Sequence, residues 1–389
     1  LEMLVDSQGG LEAPLTRTYE SALAQWRAAW GGAKPQPSCR VEWLGQSLYR
    51  AGVRQPPVSA AAWNLTAQWA SHMHSLAARQ GEPSDCQEFA RFHENGWLPP
   101  IWRWAETTPG LDSEALQDLV EDTEYETYYA QAAGEALPYG SPAVETLWRP
   151  QGTFRRKRVQ ELQHLRILRR AAGIDVRTLT HVVEFGGGAG ETVAALRDLG
   201  FEGRHLVVDL PPMLLLQRYW LRYSGLPAYL AKDLASTVAK DSRSAEPFSH
   251  KGILLLSSLS SPDIAARHLA DADPRTSLFL GLWSFTEAGT GAREKYWPIL
   301  SACGIVLLTF GDAFDGVDNA EYLQRELLQR GFDRTHHAVS WHLASSTGHH
   351  YMLAVRKDVG EVACLPALNC HDWTRHARVA QGFSYSAAQ

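Results

Sequence analysis

The stretch VVEFGGGAGET, residues 182–192, decides the fold of this chain. The run HVVEF at 181–185 is apolar and rich in β-branched residues, which predicts a short buried strand. The glycines that follow predict a tight turn into a helix that begins at about Ala189. Glycine lets a backbone approach a ligand closely, and the first turn of a helix presents free N–H groups. The stretch therefore predicts a strand–turn–helix unit that binds a nucleotide, and a purely structural turn is the alternative for the glycines alone.

The spacing of the glycines indicates which kind of nucleotide. A dinucleotide loop of the form G-x-G-x-x-G requires a third glycine where this chain has Glu191, so a nicotinamide-dependent dehydrogenase is disfavoured. The glycines instead alternate at Gly186, Gly188 and Gly190, with Glu184 two residues before the first. This E-x-G-x-G-x-G order resembles motif I of S-adenosylmethionine-dependent methyltransferases. The resemblance implies a ligand with an amino-acid end, whose ammonium group Glu184 would meet directly or through water.

Strand-like and helix-like segments alternate after the loop, which predicts a mostly parallel sheet with helices on both faces. The predicted strands are 181–185, 204–210, 252–259, 277–283, 304–310, 336–343 and 349–356, and the predicted helices are 190–199, 212–223, 261–270, 290–302 and 319–330. Only a short connection joins the last two strands, so we expect them to pair as an antiparallel hairpin at one edge. The fold class is α/β, a Rossmann-like methyltransferase sheet preceded by a mainly helical N-terminal domain.

Further ligand-binding residues are expected where the other strands end. Asp209 ends the second strand, 25 residues after Glu184, where a carboxylate accepts hydrogen bonds from both hydroxyls of a ribose. Ser257, Ser258 and Leu259 end the third strand, where an adenine is expected, although a plain strand end is the alternative. The residues assigned to the cofactor are Glu184, Gly186, Gly188, Gly190, Asp209, Leu210, Ser258 and Trp283.

A second resemblance covers residues of about 150–356. The run DLPP at 209–212, followed by LLLQRYWL at 214–221, resembles a family of sugar O-methyltransferases. The stretches WSFTE at 283–287 and FDGVDN at 314–319, with Tyr322, match that family in order and spacing, whereas Thr286 and the insert 235–250 depart from it. The resemblance implies a methyl donor and a small-molecule acceptor with an oxygen nucleophile. The sugar itself does not follow from it.

Methyl transfer to a hydroxyl requires an aligned nucleophile and a group that accepts its proton. Glu287 follows the fourth strand and is a candidate base or acceptor-binding acid, with a helix-cap acid as the alternative. His350 and His349 lie in the connection between the last two strands and are candidate bases, because imidazole titrates near neutral pH. Surface positions are the alternative for this pair, and for His336, His337 and His342.

Two charged clusters have both a structural and a functional interpretation. Asp312, Asp315, Asp318 and Asn319 offer oxygen ligands suited to Mg²⁺, but such runs also form turns, and we assign no metal ligand. The arginine-rich segment 153–172 predicts a helix. We expect a solvated face with a few salt bridges there, and an acidic partner is the alternative.

Length and composition suggest the domain organisation. The 389 residues predict two or three domains, and the change of pattern along the chain favours two: 1–150, helical and rich in tryptophan, and 151–360, the Rossmann-like domain, with a tail at 361–389. Nine of the 14 tryptophans lie in the first 150 residues: Trp26, Trp30, Trp43, Trp63, Trp69, Trp97, Trp102, Trp104 and Trp148. They form either the core of the helical domain or an aromatic wall of the acceptor pocket, which Tyr125, Tyr128, Tyr129 and Tyr139 would join.

Charge and cysteine content exclude several classes of protein. A net charge of −6 disfavours a nucleic-acid-binding protein with a broad basic face. The chain has no run of 18 apolar residues and no secretory signal at its start, so we expect a cytoplasmic protein without a membrane partner. The five cysteines are scattered and form no CxxC pair, which argues against a zinc knuckle or a disulfide framework. A homodimer through the N-terminal helices is the expected assembly.

Taken together, these patterns predict S-adenosylmethionine-dependent O-methylation of a small-molecule hydroxyl, on a sugar or a natural product. The alternatives are N- or C-methylation of a small molecule, because the cofactor loop does not determine the acceptor atom. A binding subunit without catalytic activity is a further alternative. The intact loop and Asp209 favour an enzyme.

Overall fold

The computed structural model describes residues 128–129, 144–146, 153–210, 213–214, 217–218, 221, 226–231, 252–258, 262–342, 349–363 and 370–373. The predicted helical domain at 1–150 therefore lies almost entirely outside the described residues, together with its nine tryptophans. In the part of the chain that is described, none of the helices combines the length and the hydrophobicity needed to span a membrane.

A nine-stranded sheet forms the centre of the described structure. A two-stranded hairpin precedes it: β1 (Val144–Thr146) and β2 (Thr153–Arg155). The strands of the large sheet are β3 (His181–Phe185), β4 (Arg204–Asp209), β5 (Ala228–Leu230), β6 (Ile253–Ser257), β7 (Ser277–Leu282), β8 (Ile305–Gly311), β11 (His336–His342), β12 (His349–Arg356) and β13 (Cys370–Asp372). The short strands β9 (Ala313–Phe314) and β10 (Val317–Asp318) pair with each other.

The order across the large sheet is β13-β11-β12-β8-β7-β3-β4-β6-β5. The six strands from β8 to β5 are parallel, whereas β12, β11 and β13 each run antiparallel to their neighbour. All five residues of β3 are buried, as expected for a central parallel strand covered on both faces. The predicted mostly parallel sheet and the predicted antiparallel pairing of 336–343 with 349–356 are confirmed.

Helices cover both faces of the sheet. They are α1 (Arg156–Ala172), α2 (Glu191–Asp198), α3 (Asp263–His268), α4 (Thr290–Ala302), α5 (Asn319–Gln329) and α6 (Phe332–Thr335). Leu165 of α1 and Leu196 of α2 pack with Leu280 on one face, and Trp297 of α4 packs with Phe279 on the other. Successive residues of β7 therefore enter opposite cores. Each fully buried leucine or phenylalanine stabilises the fold by about 1.5–3 kcal/mol relative to an exposed one.

The arginine-rich helix α1 corrects one expectation from the sequence. Arg158 is 1% exposed and forms ion pairs with Glu191 at 3.2 Å and Asp198 at 3.1 Å. Arg166 is also buried, and the buried carboxylate of Glu161 accepts a hydrogen bond from Thr192 Oγ1 at 2.8 Å. The expected solvated face is wrong for Arg158 and Arg166, because α2 packs against α1 and covers part of it. The helix also begins at Arg156, since residues 153–155 form β2.

Two short edge strands were not predicted from the sequence. β5 at 228–230 forms one edge of the sheet, and β13 at 370–372, within the segment assigned to a tail, forms the other. Trp373 follows β13 and packs in the core with its ring centroid 6.3 Å from that of Phe310. Three-residue strands are too short for hydrophobic alternation to be recognised.

Tyr128 and Tyr129 are the described residues of the N-terminal third. The hydroxyl of Tyr128 donates to Asp175 Oδ1 at 3.1 Å, and the guanidinium of Arg169 lies 4.3 Å from the centroid of its ring. Asp175 precedes β3, whereas the glycine loop follows β3. Tyr128 therefore packs near the end of β3 opposite the loop, which disfavours the alternative that it joins an acceptor pocket beside the loop.

Candidate functional site

Residues predicted from distant parts of the sequence meet at one end of the sheet, where the parallel strands have their carboxyl ends; we call it the carboxyl edge. β3, β4, β6, β7 and β8 run parallel, so their carboxyl ends share that edge, where ligands bind in open α/β sheets. β12 runs the opposite way, and its first residues His349 and His350 pair with Gly311 and Phe310 near the end of β8. The glycine loop, Asp209, Ser258, Trp283, Glu287 and both histidines therefore lie along one edge.

The glycine loop has the backbone conformation that only glycine adopts readily. Gly186, Gly188 and Gly190 have φ angles of +78°, +55° and +90°. The N–H of Gly186 donates to the carbonyl of Val208 at 2.7 Å, which ties the loop to the adjacent strand. The left-handed conformation of Gly190 interrupts helical geometry, so α2 begins at Glu191 and not at about Ala189 as predicted.

Glu184 lies beneath this loop and is 1% exposed. Its Oε2 is 3.1 Å from Nε2 of the fully buried His205. Burial, together with the nearby Arg197, holds the pKa of His205 well below its usual value. A neutral His205 therefore donates its Nε2–H to the Glu184 carboxylate. The contact of Glu184 with a ligand ammonium group stays a prediction.

Asp209 is linked to the loop through its carboxylate. Oδ1 accepts the N–H of Leu210 at 2.7 Å, Oδ2 accepts Gln217 Nε2 at 2.7 Å, and the backbone N–H of Gly188 donates to the same group. Burial, with repulsion from Glu184, raises the pKa of Asp209 to about 7. A carboxylate has about four acceptor positions, so three protein donors leave capacity for a ligand hydroxyl.

Gln217 is the residue of this edge that sequence reasoning missed. Its Nε2 donates both to Asp209 and to the carbonyl of Gly188 at 2.8 Å, and the side chain is completely buried. The one indication in the sequence was a neutral amide directly after three leucines in the run LLLQRYWL, where Arg218 is the other polar residue with a long side chain. A buried polar residue in such a run calls for a hydrogen-bond partner, but it does not name the partner.

The turn after β7 packs directly on the glycine loop. Ser284 Oγ donates to the carbonyl of Phe185. Trp283, half-buried, has a φ of +62°, and its N–H donates to the carbonyl and to Oγ1 of Thr309 at 3.1 and 2.9 Å. A left-handed tryptophan costs about 1–3 kcal/mol and persists where surrounding contacts fix it. These contacts fix the direction in which the chain leaves β7.

The end of β6 is joined to Asp209 through the backbone. The N–H of Ser258 donates to the carbonyl of Asp209 at 2.8 Å, and the carbonyl of Ser258 accepts Lys295 Nζ at 3.2 Å. Both β4 and β6 therefore end together at this edge. The assignment of Leu210 and Ser258 to a cofactor stays a prediction.

Glu287 is half-buried in the turn between β7 and α4. Its own N–H donates to the carbonyl of Ser284 at 3.1 Å. The buried Arg293 binds the carbonyls on either side of it: Nε donates to Ala288 at 2.7 Å, and Nη2 donates to Thr286. Gly289, and not Glu287, is the N-cap of α4. The backbone that carries Glu287 is therefore held at both neighbouring peptide units.

His350 forms a pair with Asp312 across the ends of β12 and β8. Its Nε2 lies 2.5 Å from Asp312 Oδ1, and its ring stacks on Phe310 with a centroid distance of 5.2 Å and an interplanar angle of 14°. His349 and His342 also lie at this edge, but their side chains are outside the described set. A carboxylate that binds one imidazole nitrogen fixes the orientation of the ring.

His336 and His337 lie at the end of the sheet opposite the carboxyl edge, where β11 begins and β12 ends. His336 is buried against Phe332, and burial lowers its pKa to about 4. The sequence placed both in the same class as His349 and His350, because it does not show at which end of the sheet a histidine lies. Neither is positioned to act at the carboxyl edge.

The aspartate-rich segment after β8 forms a turn. Asp318 caps α5 by accepting the N–H of Glu321 at 2.9 Å, and the N–H of Asn319 donates to the carbonyl of Asp312 at 2.9 Å. Asn319 Nδ2 donates to the carbonyl of Gly311 at 3.0 Å. In the described ranges, no group of three or more His, Cys, Asp or Glu side chains is arranged to hold a metal ion.

Comparison with known proteins gives matches by structure alone. No family model and no curated protein matches the chain. Among solved structures, it resembles cofactor-bound Rv0187 from MTB at 14% identity and a TM-score of 0.33, covering 72% of this chain and 99% of that one. It resembles the glycopeptide N-methyltransferase MtfA, solved with S-adenosyl-L-methionine, at 14% identity and a TM-score of 0.29, covering 50% and 86%.

A further resemblance is to precorrin-6y C5,15-methyltransferase from Geobacter metallireducens GS-15, at 13% identity and a TM-score of 0.28, covering 55% of this chain and 94% of that one. Structures similar to this chain thus include methyltransferases, one of them in complex with S-adenosylmethionine.

Proposed function

We propose that this chain binds S-adenosylmethionine at the carboxyl edge of its sheet and transfers the methyl group to a hydroxyl of a small molecule. The observation that carries the proposal is the link between Asp209 and Gly188: a strand-end carboxylate, suited to a ribose, is hydrogen-bonded to a loop of left-handed glycines. The order of residues in this loop resembles methyltransferases and departs from dinucleotide-binding proteins.

The residues at the carboxyl edge suit such a ligand. Gly188 lets the backbone approach closely, Asp209 has acceptor capacity for a ribose hydroxyl, Leu210 follows β4, and Ser258 follows β6. When bound, the cofactor supplies an electrophilic methyl on a sulfonium. The protein must align an acceptor oxygen with that methyl, exclude water and remove the hydroxyl proton as the new C–O bond forms and the C–S bond breaks.

His350 is the candidate that accepts this proton. Asp312 holds its Nε2 at 2.5 Å, and Phe310 supports the ring from one face. Glu287, on the anchored turn after β7, is the second candidate base or an acceptor-binding acid, and His349 is the third.

The first experiment tests the cofactor. Isothermal titration calorimetry of the full chain with S-adenosylhomocysteine should show binding that Asp209→Ala removes. Asp271→Asn is the matched control, because Asp271 pairs with Arg204 at the start of β4, at the far end of the sheet. Absence of binding by the wild-type chain, or equal binding by Asp209→Ala, contradicts the cofactor assignment.

The second experiment tests the reaction. The chain is incubated with methyl-labelled S-adenosylmethionine and panels of small-molecule alcohols, amines and carbon acids, with and without EDTA. Label in the alcohol panel supports O-methylation, whereas label in another panel gives N- or C-methylation. Cofactor binding with no label transfer to any acceptor would favour a binding subunit.

A further inference from the structure

We infer that Gln217 positions the Asp209 carboxylate for a ribose hydroxyl by bridging it to the glycine loop; this inference rests on the proposed function. Gln217 lies eight residues after Asp209, and its single Nε2 contacts both Asp209 Oδ2 at 2.7 Å and the Gly188 carbonyl at 2.8 Å. It is thus the side chain that connects the end of β4 to the loop after β3.

The chemistry of the two partners fixes the orientation of the amide. The carbonyl of Gly188 and an ionised Asp209 carboxylate only accept hydrogen bonds. The NH₂ group of Gln217 has two N–H donors, one for each acceptor. The other amide orientation would place an oxygen against two oxygens, so the bridge defines which way the side chain lies.

While Nε2 of Gln217 forms the bridge, the oxygen of the same amide is left in an unfavourable environment. Gln217 is completely buried, and its Oε1 has no hydrogen-bond partner among the described residues. A buried acceptor without a partner destabilises a fold. An apolar side chain of similar size would avoid this cost but would leave Asp209 without its Oδ2 donor. Gln217 therefore acts through the two hydrogen bonds that its Nε2 donates.

The surroundings of Asp209 explain what the bridge does. The charged group that faces it is Glu184 on β3, whose partner His205 is neutral. Burial and Glu184 both raise the pKa of Asp209, while the N–H groups of Leu210 and Gly188 and the amide of Gln217 lower it. Removal of the Gln217 amide takes away one of the contacts that lower the pKa of Asp209, so it favours the protonated carboxyl. A protonated carboxyl uses one oxygen as a donor and accepts a ribose hydroxyl less well.

The direct test is a titration of Asp209 in the ligand-free full chain. Carboxyl-¹³C-aspartate labelling gives one resonance that is missing from Asp209→Asn and so belongs to Asp209. We expect a midpoint near pH 7 in the wild type. In Gln217→Leu and in Gln217→Met the midpoint should lie about one pH unit higher or more, the effect of losing one charge-assisted hydrogen bond.

Thr192→Val serves as the control. It removes another buried hydrogen bond close to the same loop, that of Thr192 to Glu161, without contact to Asp209. Thr192→Val should lose stability but retain the wild-type midpoint. Equal midpoints in the wild type and both Gln217 variants would overturn the inference.

Binding of S-adenosylhomocysteine separates positioning from general structural damage. At pH 7, Gln217→Leu should bind about tenfold more weakly than the wild type. At pH 9, where Asp209 is ionised in both, much of this difference should disappear, whereas structural damage would weaken binding equally at both values. If the midpoint shifts but the wild type binds no S-adenosylhomocysteine, the ribose role and the proposed function are both wrong. If the wild type binds and the midpoint does not shift, the proposed function stands and the role of Gln217 is wrong.

Discussion

A β-carbon on Gly186 would lie 2.1 Å from the β-carbon of Ser284, so the loops after β3 and β7 pack against each other with no space for a side chain. Ser284 also donates to the carbonyl of Phe185, the residue before that glycine. The two loops are 98 residues apart in sequence, yet each limits the conformation of the other. A change in either one is therefore expected to move the candidate site.

Gly186→Ala should destabilise the chain by more than backbone conformation alone explains. A left-handed alanine costs about 1–2 kcal/mol, and the overlap with Ser284 adds about 1–3 kcal/mol. Gly331→Ala is the matched control, because Gly331 has a φ of +76° and nothing within 4 Å of an added β-carbon. Urea unfolding measures both. Equal losses in the two variants would contradict the packing argument.

Binding of S-adenosylhomocysteine should depend on pH through Asp209. Its pKa is about 7 in the ligand-free chain, and the ligand favours the ionised form. Affinity should therefore fall by up to about tenfold per pH unit below pH 7 and become constant above it. Calorimetry in two buffers with different ionisation enthalpies should detect proton release at pH 6. The same affinity at pH 6 and pH 8 would exclude this linkage.

Acid should destabilise the fold through its buried histidines. Burial lowers the pKa of His268 to about 3 and that of His336 to about 4. A histidine whose pKa is lowered by folding stabilises the native state fully above about pH 6.5, and this contribution is lost as the pH falls toward the folded pKa. For His336 the loss amounts to about 3 kcal/mol.

His336→Gln should accordingly reduce the dependence of the unfolding free energy on pH between 6.5 and 4. Thr335→Ala removes the hydrogen bond to Nδ1 of His336 but retains the imidazole, so it should keep the slope of the wild type. Urea unfolding at a series of pH values gives the slopes. An unchanged slope in His336→Gln would show that other groups are responsible.

The buried ion pair between Arg158 and Glu191 should be costly to break from one side. Arg158→Met removes the guanidinium that pairs with the buried Glu191 carboxylate and is expected to lower the unfolding free energy by about 3–5 kcal/mol. Arg158→Met combined with Glu191→Gln should recover part of this loss. Arg170→Met, on an exposed position of the same helix, should change stability by less than about 0.5 kcal/mol. A double variant no more stable than Arg158→Met would contradict the ion-pair account.

Turnover should distinguish the candidate bases. Removal of a general base typically lowers kcat by about 10²–10⁴-fold, so His350→Ala should show such a loss with unchanged binding of S-adenosylhomocysteine. Asp312→Asn should show a smaller loss, and Glu287→Gln tests the second candidate. His337→Ala is the control, since His337 lies at the opposite edge of the sheet. Full activity in both His350→Ala and Glu287→Gln would remove both residues as bases.

The sequence by itself determined the elements whose information is local. Alternating glycines after a β-branched run specified the loop, because only glycine adopts the three left-handed conformations found there. Apolar runs specified the long strands, and the short connection between 336–343 and 349–356 specified an antiparallel pair. Since parallel strands end at a common edge, the approximate place of Asp209, Trp283 and His350 followed as well.

Only the tertiary structure decided the contacts between residues that are distant along the chain or in different elements. It joined Gln217 to Gly188, placed Ser284 against Gly186, and buried Arg158 beside Glu191. It also assigned the edge strands 228–230 and 370–372, which exist through their pairing with a neighbouring strand and have no pattern of their own. A hydrogen bond or a close packing contact depends on distances in space, and local sequence patterns do not contain those distances.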